Sequence, residues 1–403
     1  MEQILQYCAK YKKIYCYGAG RYGRELCVFL RQHNIEIAGF IVSVAGNEKR
    51  ILKKPVYVID EITVDKETGI IITVSSKYRE AIAERLTFYG IEGGLFFQEE
   101  WLEKIEQQTD YNVRENNRVA VLLYHRVLED VHENTWGIAV SKNNFEQQIK
   151  YISQHYQVLN YGDNWDGVSK PSVVITFDDG YVDNFINALP ILQKYNVPAI
   201  IFISTGNIGT ECLFWWDRLE RVFANVSEKG SIFVKGQLVS NVKTAHSMLI
   251  KMPVFERNEV LTEMEKRYRI NFHSVEEDRT VSVEELKELA ASDLITIGAH
   301  TVSHVSLSDI PKDEQLYEIK ESVRFLENNT GKEIKYFSYP FGNYNDETLT
   351  IMRQEGITRV STVVAGLVDD ADSTAIPRNV VHNIGIKDFV KFIKRIFFVY
   401  GEV

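Results

Sequence analysis

The chain has 403 residues, 45% hydrophobic and 25% charged, which is enough to bury two or three cores without help from staples. Its formal net charge of -10 excludes the concentrated basic surface that phosphate recognition needs, so no nucleic-acid partner is expected. The four cysteines (Cys8, Cys16, Cys27, Cys212) form no C-x-x-C pair and no disulfide framework, which fits a reducing compartment. Neither the first ten residues nor any later run has the apolar length of a signal peptide or membrane span, so a cytoplasmic location is expected, at most peripheral to the inner leaflet.

The first segment reads as a small α/β unit, with strands over residues 14–17, 35–42 and 68–74 and a helix over 21–31. Between the first strand and the helix lies Gly18-Ala19-Gly20-Arg21-Tyr22-Gly23, a G-x-G-x-x-G match in the strand-to-helix setting that such a motif requires. A dinucleotide site would usually add an acidic residue at the end of the second strand. The chain there reads Phe40-Ile41-Val42-Ser43-Val44-Ala45, so NAD is not expected. The arrangement resembles the small Rossmann-like domain that precedes some sugar-modifying transferases, which implies a nucleotide sugar at Gly18, Gly20 and Gly23. The other reading is a glycine turn that serves only helix and strand packing. The polar stretch over residues 100–117 reads as a helix and linker, dividing a domain over 1–105, a linker over 106–117 and a second domain over 118–403.

In the second domain, short apolar runs over 119–124, 172–177, 199–204, 295–299, 335–339 and 359–363 recur between helical stretches. Val173-Val174-Ile175 is apolar on both faces, as in a parallel sheet covered on both sides, and a (β/α) barrel is the expected closure. Residues 206–282 break the rhythm with amphipathic segments and read as a helical insertion over one rim.

Thr176-Phe177-Asp178-Asp179-Gly180 stands where a buried strand gives way to a turn, the position at which a barrel displays catalytic groups. Adjacent side chains leaving a strand diverge, so one carboxylate can bind a metal while the other handles a proton; an ordinary Asp-Asp-Gly turn is the alternative. His300 and His304 have H-x-x-x-H spacing, which on a helical turn puts both imidazoles on one face, fit for one ion. Two histidines and one carboxylate leave coordination positions free, as in a catalytic rather than a structural site. Tyr336-Phe337-Ser338-Tyr339-Pro340-Phe341-Gly342 adds a rigid turn at the same rim, and Tyr124-His125 ends the first strand of this domain.

On these four motifs, residues 118 to about 382 resemble the polysaccharide deacetylase (NodB-homology) family, whose members have a deformed (β/α) barrel and remove acetyl groups from sugars. The resemblance implies Asp178 as general base and Asp179, His300 and His304 as ligands of a divalent metal, most simply zinc, with cobalt, nickel or manganese as substitutes. It also implies Phe341 N–H as an oxyanion donor and His125 as catalytic acid, with His382 a rival. Where many members carry an arginine that steadies the base, this chain has Ser338; Arg378 is the expected replacement, a surface salt bridge being the alternative. Such a metal lowers the pKa of its water toward about 7 and polarises the carbonyl.

The implied substrate is an N-acetylated amino-sugar glycan or its nucleotide- or lipid-linked precursor. A catalytically silent carbohydrate-binding protein and a bifunctional enzyme are the competing readings. Trp215-Trp216-Asp217-Arg218 reads either as a sugar-stacking platform or as core. The basic, aromatic segment over residues 386–400 reads as an amphipathic helix that either packs on the chain or contacts a membrane surface.

Overall fold

The computed structural model describes residues 1–43, 50–91, 94–108, 117–131, 135–210, 212–226, 232–270, 278–371 and 373–401. The chain forms two compact units, Met1–Asn116 with Lys391–Val403, and Asn117–Val390.

The first unit is built on a six-stranded sheet. Lys13–Tyr17 lies at its centre, parallel to Gly39–Val42 on one side and to Thr68–Ile72 on the other. Lys54–Val58 and Leu95–Phe96 extend it in parallel, and Arg50–Ile51 pairs antiparallel at one edge. Thr68–Ile72 is buried throughout, as a strand covered on both faces must be. The helix Arg21–Gln32 buries Leu26, Cys27, Phe29 and Leu30 in the unit's core. The second strand starts at Gly39 rather than at Ile35, and the helix Glu99–Gln108 precedes residues 109–116, so most of the expected linker lies outside the described residues.

The C-terminal helix Ile386–Gly401 takes the packing alternative, and from Lys391 onward it belongs to the first unit. Phe389, Ile393, Ile396, Phe397 and Val399 are all buried, and Val399 belongs to the first unit's core. Arg395 pairs with the buried Glu25 at 3.5 Å and also with Glu106. The apolar stripe is thus consumed by packing. Among the described residues no helix is long and apolar enough to cross a membrane.

The second unit is organised by one curled parallel sheet. Its strands run, in spatial order, Arg359–Ser361, Tyr336–Ser338, Ile295–Ala299, Ala199–Ile203, Ser172–Phe177, Val119–Tyr124 and Asn379–Val380. Ser361 bridges Ile376, while Asn379 and Val380 pair with Leu122 and Leu123. Residues 376–380 therefore join the two ends of the sheet and curl it into the expected barrel. Every residue of Val119–Tyr124 and Ser172–Phe177 is buried, and each aliphatic side chain fully removed from water contributes about 1.5–3 kcal/mol.

The insertion carries the helices Trp215–Asn225, Val242–Leu249 and Val254–Arg267 and a hairpin of Ile232–Val234 with Gln237–Val239. Leu219, Val222, Ile232, Val239, Leu249 and Leu261 give it a small core of its own.

Candidate active site

Asp178 and Asp179 leave the C-terminal end of Ser172–Phe177. Asp179 has φ 76° and Gly180 φ 81°, so the chain turns sharply here and the two carboxylates separate. Asp178 meets Arg378 in a two-pronged ion pair, Nη1 to Oδ1 at 2.7 Å and Nη2 to Oδ2 at 2.7 Å. Arg378 is fully buried, and its five N–H groups also reach the Thr362 carbonyl, Thr176 Oγ1 and Ser338 Oγ. Ser338 Oγ in turn donates to Asp178 Oδ2 at 3.2 Å. Burial pushes the Asp178 carboxyl up, but the Arg378 charge, then His300, outweigh it and hold the group well below the usual carboxylate range.

Asp179, His300 and His304 bring one ligand atom each to within 4.8 Å of one another. The Asp179 Oδ1 atom lies 3.6 Å from His300 Nε2 and 3.3 Å from His304 Nε2. The histidines do not sit on a helical turn. Residues 300–304 form an irregular loop in which Thr301 (φ 65°) and His304 (φ 48°) take left-handed backbone, and this brings the two rings to 4.9 Å. The Nδ1 of His300 faces the Ser338 carbonyl at 2.7 Å. A carbonyl only accepts, so Nδ1 carries the proton and Nε2 presents its lone pair.

Two buried charges grip this loop. Glu318 accepts the N–H groups of Val302 and Ser303 at 2.9 and 2.8 Å, and Arg257 from the insertion donates to the Ser303 carbonyl at 3.0 Å. Burial lowers His300 to about 4 and His304 to about 3, which leaves both neutral. Asp179 is raised by burial, and its buried Oδ1 has no hydrogen-bond partner among the described residues. An orphaned carboxylate oxygen beside two neutral imidazoles is a donor set that fits a cation.

The same group of residues lines a cavity of about 260 Å³, together with His125 and Phe341. His125 follows Val119–Tyr124, and its own carbonyl accepts from Asn184 Nδ2 at 2.7 Å. Burial lowers its pKa against the opposing pull of Asp179 and Asp178. His382 is exposed and does not line this cavity. Phe341 has φ 59° in the turn Pro340–Gly342, where a Cβ on Gly342 would come within 2.6 Å of Val363.

The tryptophan pair divides. Trp216 lines the cavity, stacks on Phe214 at 4.4 Å and donates to the Tyr181 hydroxyl at 2.8 Å, which donates to Asp217 at 2.8 Å. Trp215 packs under Arg257 and does not line it. Trp136, Ile138, His246 and Val363 complete the wall. Sequence reading missed them, as it missed Arg257 and Glu318, because none stands in a motif and only the folded insertion brings His246 and Arg257 to the rim.

Far from this cavity in sequence, Gly18 (φ 115°) and Gly23 are required by packing. A Cβ on Gly18 would lie 2.8 Å from the Thr73 carbonyl, and one on Gly23 would lie 2.0 Å from the Gly18 carbonyl. Gly20, the N-cap of Arg21–Gln32, has nothing within 4 Å of such a Cβ.

Residues 166–360 match the family model described as polysaccharide deacetylase. They include Asp178, Asp179, His300, His304 and Phe341, whereas His125 and Arg378 fall outside. The chain is similar to YxkH of Bacillus subtilis, named for the same family, with 24% identity over 246 residues, 59% of this chain and 62% of that one. It is also similar to the poly-beta-1,6-N-acetyl-D-glucosamine N-deacetylase of Staphylococcus aureus, 23% identical over 304 residues, 69% of this chain and 83% of that one. A crystal structure of a polysaccharide deacetylase from Bacillus cereus aligns with a TM-score of 0.48 at 21% identity, covering 69% of each chain. Over residues 166–360 and in both relatives, the chain is thus similar to polysaccharide deacetylases, and it spans 62% of the length of YxkH.

Proposed function

We infer that the second unit removes N-acetyl groups from an amino sugar in a glycan or in its nucleotide- or lipid-linked precursor. The observation that carries this reading is the separation of two adjacent carboxylates. Asp178 is held ionised by Arg378, while Asp179 Oδ1 stands 3.3 and 3.6 Å from two neutral imidazoles. A divalent ion held by Asp179, His300 and His304, zinc in this reading, would supply Lewis acidity and an acidified water. Asp178 takes the proton of the attacking water as its oxygen bonds to the acetyl carbon. The Phe341 N–H donates to the developing oxyanion, and His125 protonates the nitrogen as the C–N bond breaks, leaving acetate and a free amine.

Acetate release from free, nucleotide-linked and lipid-linked acetamido sugars, with metal content measured on the same sample, tests the reading. Asp178→Asn should lower turnover about 10³-fold and keep the metal, whereas His300→Ala loses both. An Asp178→Asn protein of full activity would sink the assignment.

A second inference concerns the first unit. Counting only its parallel strands in chain order, they lie 3-2-1-4-5, the Rossmann order, with the open Gly20 at the turn into the first helix. That space supports docking of a nucleotide sugar. Calorimetric titration of UDP-sugars and of NAD into the whole chain checks it, and no heat with any nucleotide removes it.

A further inference from the structure

We propose that His246, carried by the helical insertion, is a specificity-determining residue that hydrogen-bonds a hydroxyl of the acetamido sugar through its ring edge. This rests on the deacetylase reading above. His246 sits on Val242–Leu249, far from every motif, yet lines the cavity that holds Asp178 and the two metal-site histidines. Three rings surround it, Trp215 stacked at 4.7 Å, Trp136 at 4.9 Å and Phe341 edge-on at 6.0 Å. The imidazole is therefore clamped in one orientation.

Its ring nitrogens make no hydrogen bond to any described residue, and no carboxylate orients it as a base would require. Burial, reinforced by His304 and Arg257, lowers it to about 4, so at neutral pH it offers one N–H donor and one nitrogen acceptor with no charge. Those are the partners a sugar hydroxyl uses. The indole of Trp216 and the ring of Phe341 supply apolar walls in the same cavity, suited to the C–H face of a pyranose. Chemistry is already assigned to Asp178 and His125, so the insertion's contribution is recognition.

The test compares the wild type with His246→Phe, which keeps the aromatic packing and removes both nitrogens, and with His246→Gln, which keeps a donor and an acceptor. Each is assayed on an N-acetylglucosamine oligomer and on 4-nitrophenyl acetate, which has no sugar hydroxyl. Oligomer binding is followed separately by tryptophan fluorescence, and metal content is measured throughout. His246→Phe should lose about tenfold in kcat/KM on the oligomer, chiefly through KM, with 4-nitrophenyl acetate and metal content unchanged. His246→Gln should recover part of the loss.

Oligomer kinetics within twofold of wild type in His246→Phe, or equal losses on both substrates, would overturn the proposal. If the wild type binds oligomer without releasing acetate, the deacetylase reading falls, and the binding constant of His246→Phe still decides the present one. If the wild type neither binds nor deacetylates any acetamido sugar, both fall.

Discussion

At the scale of single residues, Arg378 is the most consequential side chain outside the motifs. A fully buried guanidinium whose five donors all find acceptors is held in place, and through it the Asp178 carboxylate keeps one orientation and one charge. Arg378→Met should destabilise the fold by about 3–5 kcal/mol, because it leaves an ionised carboxylate buried beside neutral groups. Urea denaturation of the variant measures this directly. Arg378→Lys restores the charge but not the two-pronged geometry, so it should recover stability more than turnover. A lysine variant with wild-type kcat would show that charge alone suffices. The residue types were legible in the sequence. Their pairing was expected from the family resemblance, with a surface salt bridge as the alternative; the closure of the sheet brings the two residues together across 200 positions and buries the pair.

At the scale of elements, the strands that carry the site were legible, because a segment buried on both faces must be apolar throughout. Val119–Tyr124 follows that rule, and Ser172–Phe177 and Ile295–Ala299 depart from it only at Ser172, Thr176 and the half-buried Thr296. The His300–His304 loop was misread as helical because spacing alone does not tell a helical turn from a loop with two left-handed residues. Of the ten described non-glycine residues with positive φ, Asp179, His304 and Phe341 line the cavity and Thr301 lies in the loop that carries its two histidines. Backbone strain of about 1–3 kcal/mol each persists only where the surroundings impose it, as Glu318 and Arg257 do for this loop.

The helix Trp215–Asn225 yields a pH prediction. Burial raises Asp217 to about 8 against the pull of Arg126 and the Tyr181 hydroxyl. An unfolded aspartate titrates near 3.9, so between about 4 and 8 the folded protein retains a proton that the unfolded chain has lost. That contribution is fully present at low pH and is lost as pH rises through about 8, by up to about 1.4 kcal/mol per pH unit. Asp217→Asn keeps an acceptor for Tyr181 without the titration. Its Tm relative to wild type should therefore climb between pH 5 and pH 8, and a flat difference would show that Asp217 holds no proton.

At the scale of the second unit as a whole, the candidate metal trio brings together two strand ends that are not neighbours. Asp179 follows Ser172–Phe177 and the histidines follow Ile295–Ala299, with Ala199–Ile203 between them. A divalent ion bound there would act as a cross-link, and removing it by chelation should lower Tm by about 5–10 °C, reversed by adding the ion back. Asp179→Ala should not respond to either treatment, and differential scanning calorimetry separates the two cases.

The closing segment over residues 376–380 gives the barrel a direction in time. During synthesis, Asp178 and the three residues of the candidate metal site emerge well before Arg378, and the counter-charge of Asp178 arrives only with the segment that seals the sheet. A nascent or prematurely terminated chain would thus carry the ion-holding residues without a poised base. On the proposed roles, hydrolytic competence would begin only with the segment that seals the sheet.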